Sequence, residues 1–199
     1  MIRTGDVVML DLEPASRSVA ALLPQITQDQ LDARTPCERY AVRDLLGHLI
    51  GLTTAFRLAA RKEQMPDGGV APDEPVPVSD AEEWQPQLSA QLSAVAAAWQ
   101  VPDAWDGMAE AGGVTLPADI MGAVALNELV VHGWDLARAT GQHFNPGEDQ
   151  VQASFDLLSQ STDPADREPI YGPVITVDES APLLDRVIGL AGRNPSWAP

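Results

Sequence analysis

The chain has 199 residues, 45% of them hydrophobic, and a formal net charge of −17. That length suits one domain with a substantial core, and so acidic a surface repels phosphate backbones and anionic lipid, which excludes nucleic-acid and membrane partners. The single cysteine, Cys37, excludes an internal disulfide and suits a reducing cytoplasm, and neither a signal-peptide pattern nor a bilayer-spanning apolar run is present.

Val7 to Leu12 reads as a short extended arm. Pro14 suits the first turn of a helix that continues from Ser16 to Leu23. Pro24 and the Gln/Asp-rich stretch to Arg34 break it, with room for one short turn. Thr35-Pro36-Cys37 is a loop, because the residue before a proline is pushed out of the helical region. A second helix is expected over Ala41 to Lys62, with Leu45, His48, Leu52, Ala55 and Ala59 on one stripe and Arg43, Arg57 and Arg61 away from it. Met65 to Val78, with four prolines, has neither helical nor strand periodicity and is expected to be a long loop, of a kind often functional or mobile.

Ser79 and Glu82 form a capping box for a third, alanine-rich helix reaching about Gln100, in which Pro86 either kinks the helix or marks a later start. Asp103 to Glu110 is a connection without periodicity, Gly112-Gly113 a turn, and Val114 to Leu116 a brief extended piece. The fourth helix starts near Pro117 and stops at Gly141, a well-placed left-handed cap; apolar nearly all round, it should be the most buried. A fifth helix spans Glu148 to Ser159, Ile170 to Val177 is extended, and a last short helix covers Pro182 to Ala191. Three long helices plus the first make an all-α four-helix bundle, since the strand-like pieces are too few and short for a sheet core. Residues 1–160 are expected to form the bundle and 161–199 a C-terminal extension packed on it within a single domain.

Within the apolar run Met121 to Ala139, Glu128 and His132 stand four positions apart on one helix face. Apolar packing gives no reason for a carboxylate there, because an unpaired buried charge costs several kcal/mol. A divalent cation is the compensation that uses both side chains at once. His48, on the inward stripe of the second helix, completes a three-ligand set if the second and fourth helices are neighbours. Two imidazoles and a carboxylate suit zinc first, then nickel or ferrous iron, and leave positions open for water or substrate. The alternative is a buried Glu128–His132 ion pair, or one reaching solvent at a helix–helix groove. His143 is expected on the surface, Cys37 as a small buried loop residue and Trp134 in packing. Asp44, one turn before His48, and Asp135, three residues after His132, could each orient an imidazole, but plain helix-surface carboxylates are the default expectation for both.

Thr35-Pro36-Cys37, Val42-Arg43-Asp44-Leu45-Leu46-Gly47-His48, and the run from Glu128 through His132-Gly133-Trp134-Asp135 to Gln142 together resemble the actinobacterial family related to mycothiol-dependent maleylpyruvate isomerase. That family belongs to the DinB-like, YfiT-like metal-binding four-helix bundles. Gly192-Arg193-Asn194-Pro195-Ser196-Trp197 resembles the ending of a short subfamily. The resemblance implies that His48, Glu128 and His132 hold a divalent metal, and that a low-molecular-weight thiol, mycothiol, is activated there to add to a small electrophile for transfer or isomerisation. A homodimer through helix faces is the assembly that comparable bundles suggest. The chain departs from the family pattern at Tyr40, usually a tryptophan, and at Ala41, where a Ser or Thr usually caps, so that Asp44 lacks its capping partner. The established isomerase also carries a second, C-terminal domain. A non-catalytic metal brace, a metal-dependent hydrolase and a metal-free interaction module are the competing readings.

Overall fold

The computed structural model describes residues 2–4, 7–64, 75–78, 81–160, 162–163 and 171–199. Its longest helix, α4 (Ala118–Thr140), is buried on nearly every side, as an all-round apolar helix must be. Around it α1 (Glu13–Leu22), α2 (Val42–Ala60) and α3 (Ala81–Trp99) complete a four-helix ring. The order in space is α1, α3, α2, α4 and back to α1. The second and fourth helices are therefore neighbours. A further helix, α5 (Glu148–Leu158), packs on α4, and α6 (Leu183–Leu190) packs on α5. The ring encloses Leu45, Leu49, Leu88, Leu92 and Leu126, each at most 1% exposed. None of the described helices is long and apolar enough to cross a membrane.

The helix limits fall within two residues of the sequence expectations, and the differences have local causes. Helix α2 has no side-chain cap at Ala41, yet its start is not left bare. The N–H groups of Val42 and Arg43 donate to the carbonyls of Ala33 (3.0 Å) and Leu31 (2.9 Å), while Asp44 Oδ2 accepts from Ala41 N–H at 3.0 Å. The preceding loop thus supplies the acceptors that a Ser or Thr would have provided. Helix α3 runs through Pro86 near its N-terminus rather than starting after it. At the end of α4, Gly141 adopts φ 69°, and Gln142 N–H returns to the Ala137 carbonyl at 2.8 Å, the left-handed stop expected there.

The extended pieces are more ordered than their sequence suggests. The expected arm after Val7 is the second strand of a hairpin, β1 (Ile2–Thr4) with β2 (Val7–Met9). The Asp103–Glu110 connection resolves into a 3-10 turn at Pro102–Trp105 and a strand, β3 (Met108–Ala111), paired antiparallel with β4 (Val114–Pro117). Gly112 and Gly113, both at positive φ, make the two-residue turn that such a hairpin requires. Two 3-10 turns, Leu23–Gln25 and Gln28–Gln30, fill the stretch after α1 where one was expected. Between 171 and 177 no strand forms; one backbone bond, Ile175 N–H to the Gly189 carbonyl at 2.9 Å, ties that segment to α6. Loop residues 65–74, the Ser79–Glu82 side-chain box and Ile170 lie outside the described residues.

One glycine on α2 decides how close the chain can come to the site. A Cβ at Gly47 would stand 2.0 Å from the Val76 backbone oxygen. Residues 75–78 therefore cross α2 against bare backbone, one position before His48. Gly47→Ala is expected to destabilise the protein by about 1–3 kcal/mol in urea titration, the usual range for overpacking. An unchanged midpoint would mean that this crossing does not bear on the fold.

Candidate metal centre

His48 projects from α2 and Glu128 and His132 from α4, and the ring places them together. One ligand atom from each lies within 4.8 Å of the other two. The rings of His48 and His132 meet edge-on at 88°, with centroids 4.9 Å apart. All three residues are nearly closed off, at 8%, 9% and 5% exposure respectively. Donors about 2.1 Å from one tetrahedral cation stand about 3.4 Å apart. The Glu128–His132 pair, at 3.1 Å, is already near that spacing, and the set as a whole spans at most 4.8 Å.

His132 is the pivot. Its Nε2 faces Glu128 Oε2 at 3.1 Å and its Nδ1 faces Asp135 Oδ2 at 3.0 Å. Burial pushes the Glu128 carboxyl up, but the hydrogen bond from His132 and the charges of His132, His48 and Arg193 outweigh it and hold it below its ordinary value. Burial likewise pushes His132 down, and the hydrogen bonds to Asp135 and Glu128 more than reverse this, so the imidazole titrates above its ordinary value. A carboxylate on each nitrogen favours the imidazolium. A cation between Glu128 and His132 would take the place of the Nε2 proton, while Asp135 keeps the Nδ1 proton and hence the tautomer that ligates through Nε2.

The supporting side chains divide between the expected and the unforeseen. Asp135 is fully buried and bonded to His132, not on the helix surface, because its face of α4 is covered by the C-terminal segment. Asp44 is half-buried and serves the start of α2 instead. Tyr40 places its hydroxyl 3.4 Å from His48 Nδ1, with ring centroids 4.9 Å apart. Arg193 reaches Asp135 Oδ2 from the far end of the chain at 3.2 Å. Neither had been assigned a role, although Tyr40 stood out as a departure from the family pattern and Arg193 lies in the subfamily tail. His143 is exposed, Trp134 packs at 5% exposure, and Cys37 is buried, as expected. Burial pushes the Cys37 thiol up against the pull of Arg193, so it stays protonated near neutral pH.

A small apolar cleft of about 10 Å³, room for about one water molecule, lies beside Glu128. Leu49, Leu52 and Phe56 of α2, Val95 of α3 and Ala125 and Leu129 of α4 line it, with Glu128 in its wall. Leu52, on the inward stripe, is only half-buried because it faces this opening.

A family model described as the mycothiol maleylpyruvate isomerase N-terminal domain matches residues 12–137, and the chain belongs to that family. Two uncharacterized proteins of Mycobacterium tuberculosis, from strains CDC 1551 / Oshkosh and ATCC 25618 / H37Rv, are each 30% identical over 131 residues. That stretch spans 64% of this chain and 64% of each relative. The fold is shared with the crystal structure of a histidine-to-alanine mutant of mycothiol-dependent maleylpyruvate isomerase. The TM-score is 0.56 at 16% identity, over 79% of this chain and 72% of that one.

The paired shifts set a pH window for the metal-free protein. A lowered Glu128 contributes stability that is present above its unfolded value of 4.5 and lost as pH falls through its folded value. A raised His132 contributes stability present below its unfolded value of 6.5 and lost as pH rises through its folded value. Both describe one interaction, so the melting temperature of metal-free protein should be highest between these values and decline on either side. The alkaline decline should vanish in His132→Ala. Added zinc should reverse that slope, because it binds neutral imidazole. Equal alkaline declines in wild type and variant would show that the pair is not ionised.

Proposed function

We propose that the chain binds a divalent cation through His48, Glu128 and His132 and uses it to activate a low-molecular-weight thiol toward a small electrophile, by transfer or isomerisation. The observation that carries this reading is the convergence of two imidazoles and one carboxylate from distant parts of the sequence. Family membership points to mycothiol as the thiol. Zinc fits the donor set best, and nickel and ferrous iron also accept it. A divalent cation there lowers the pKa of a coordinated thiol, so that the thiolate nucleophile exists near neutral pH.

The protein's own groups do the rest. Glu128 supplies the negative charge that a dication needs in a dry site. Asp135 accepts at Nδ1 of His132, which leaves Nε2 of that ring for the metal, and Tyr40 stands 3.4 Å from Nδ1 of His48. Leu49, Phe56 and Leu129 pack beside Glu128 and keep that side of the site apolar.

Elemental analysis with a thiol-conjugation screen tests the reading. Wild-type protein should carry about one metal per chain, and His132→Ala should lose about 100-fold or more in zinc affinity along with all thiol consumption. Wild-type stoichiometry in the variant would remove the site. Metal binding without any thiol consumption, coupled to a large fall in melting temperature on chelation, would instead indicate a structural brace.

A further inference from the structure

Arg193 lies beyond the family-matched span, in the segment after α6. The local backbone aims it inward. Gly192, at φ 80°, turns the chain out of α6, and the N–H groups of Gly192 and Arg193 return to the carbonyls of Gly189 (3.0 Å) and Ile188 (2.9 Å). Arg193 is only 9% exposed, a burial that arginine rarely accepts without a partner. Its Nη1 donates to the Ala191 carbonyl at 2.7 Å and its Nη2 to Asp135 Oδ2 at 3.2 Å, while Nε has no hydrogen bond.

The chain on either side of α6 is fastened to one face of α4 at two further points. Asn127 Nδ2 donates to the Tyr171 hydroxyl at 2.9 Å, and the Arg138 guanidinium donates to the Trp197 carbonyl. Asn127, Asp135 and Arg138 share a helix face at i, i+8 and i+11. Asp135 is 0% exposed, and its Oδ2 takes both His132 and Arg193, whereas Oδ1 has no hydrogen-bond partner. Apart from the histidine it orients, Arg193 is the hydrogen-bond donor that this carboxylate has among the described residues.

We infer that Arg193 is a positioning residue: its guanidinium fixes the Asp135 carboxylate, which in turn holds His132 with Nδ1 protonated and Nε2 turned to Glu128. The segment after α6 thereby completes the site from behind α4. Its consequence for metal binding rests on the proposed function; its consequence for the His132 ring does not.

The test uses the full chain with Arg193→Met, which removes the fork and charge, and Arg193→Lys, which keeps the charge. In metal-free wild type, ¹⁵N NMR should show a slowly exchanging proton on Nδ1 of His132. Arg193→Met should lose it, and Arg193→Lys should restore it in part. Cobalt(II) affinity, read from visible absorption, should fall about 10–100-fold in Arg193→Met and recover partly in Arg193→Lys. Urea unfolding of the same metal-free samples measures the structural contribution separately. A destabilised Arg193→Met that keeps the Nδ1 proton and wild-type cobalt affinity would overturn the inference. Should that variant fail to fold, Arg193→Lys decides: an unaltered Nδ1 exchange rate and unaltered cobalt affinity overturn it. A wild type that binds no cobalt defeats the metal reading, and the Nδ1 signal then still decides for or against Arg193.

Discussion

A carboxylate inside an apolar helix is the constraint from which the rest of this structure follows. Glu128 would be several kcal/mol too costly to bury alone. His132, one turn on, answers it at 3.1 Å. That solution creates a second problem, since the imidazolium is itself buried and needs its other nitrogen satisfied. Asp135 supplies the acceptor, and its own charge calls for Arg193. The result is a line of alternating charges crossing α4 from the cleft on one side to the C-terminal segment on the other. Removing any member would strand its neighbour, which is how a short motif comes to depend on residues far away in sequence.

The ring order of the helices serves this line. With α3 between α1 and α2, the α2 face bearing His48 turns directly to α4. Small residues flank both histidines. Gly47 lets residues 75–78 lie against α2 beside His48, and a Cβ at Gly133 would meet the Phe144 ring at 2.5 Å, so bare backbone there seats the loop after α4. The anchoring of α2 by the carbonyls of Leu31 and Ala33 couples the loop containing Thr35, Cys37 and Tyr40 to the same turn of helix. Thr35 Oγ1 donates within that loop, to the Tyr40 carbonyl at 2.7 Å, and keeps the tyrosine in place over His48.

The helices were legible because each carries a local signal: 3.6-residue periodicity, Pro14 at a start, Gly141 at a stop. The three converging side chains were legible because a buried Glu needs a reason and three histidines leave few choices. What remained hidden was non-local. Asp135 reads as a surface carboxylate until the C-terminal segment is seen covering its face of α4. Arg193 carries no periodic signal, and its partner lies 58 positions away. The hairpin β3–β4 was only half visible, because Met108 to Ala111 lacks β-branched or alternating residues and forms a strand through pairing with Val114 to Pro117. The missing side-chain cap at the α2 start was legible, whereas the backbone acceptors that stand in for it were not, because no residue-type rule detects them.

Charge balance carries the proposed chemistry one step further. Without metal, and with His132 protonated, the carboxylates of Glu128 and Asp135 balance the cations His132 and Arg193. Replacing the Nε2 proton of His132 by a dication leaves one positive charge in excess, in surroundings that screen it poorly. Cys37 cannot cancel that charge from within, since burial keeps it a thiol. An incoming anionic ligand can, and a neutral one cannot. Apart from Glu128, which the reading assigns to the metal, the described residues lining the cleft include no carboxylate or imidazole. Under the proposed reading, a thiol that binds as its thiolate would cancel that charge, as any anionic ligand of the metal would.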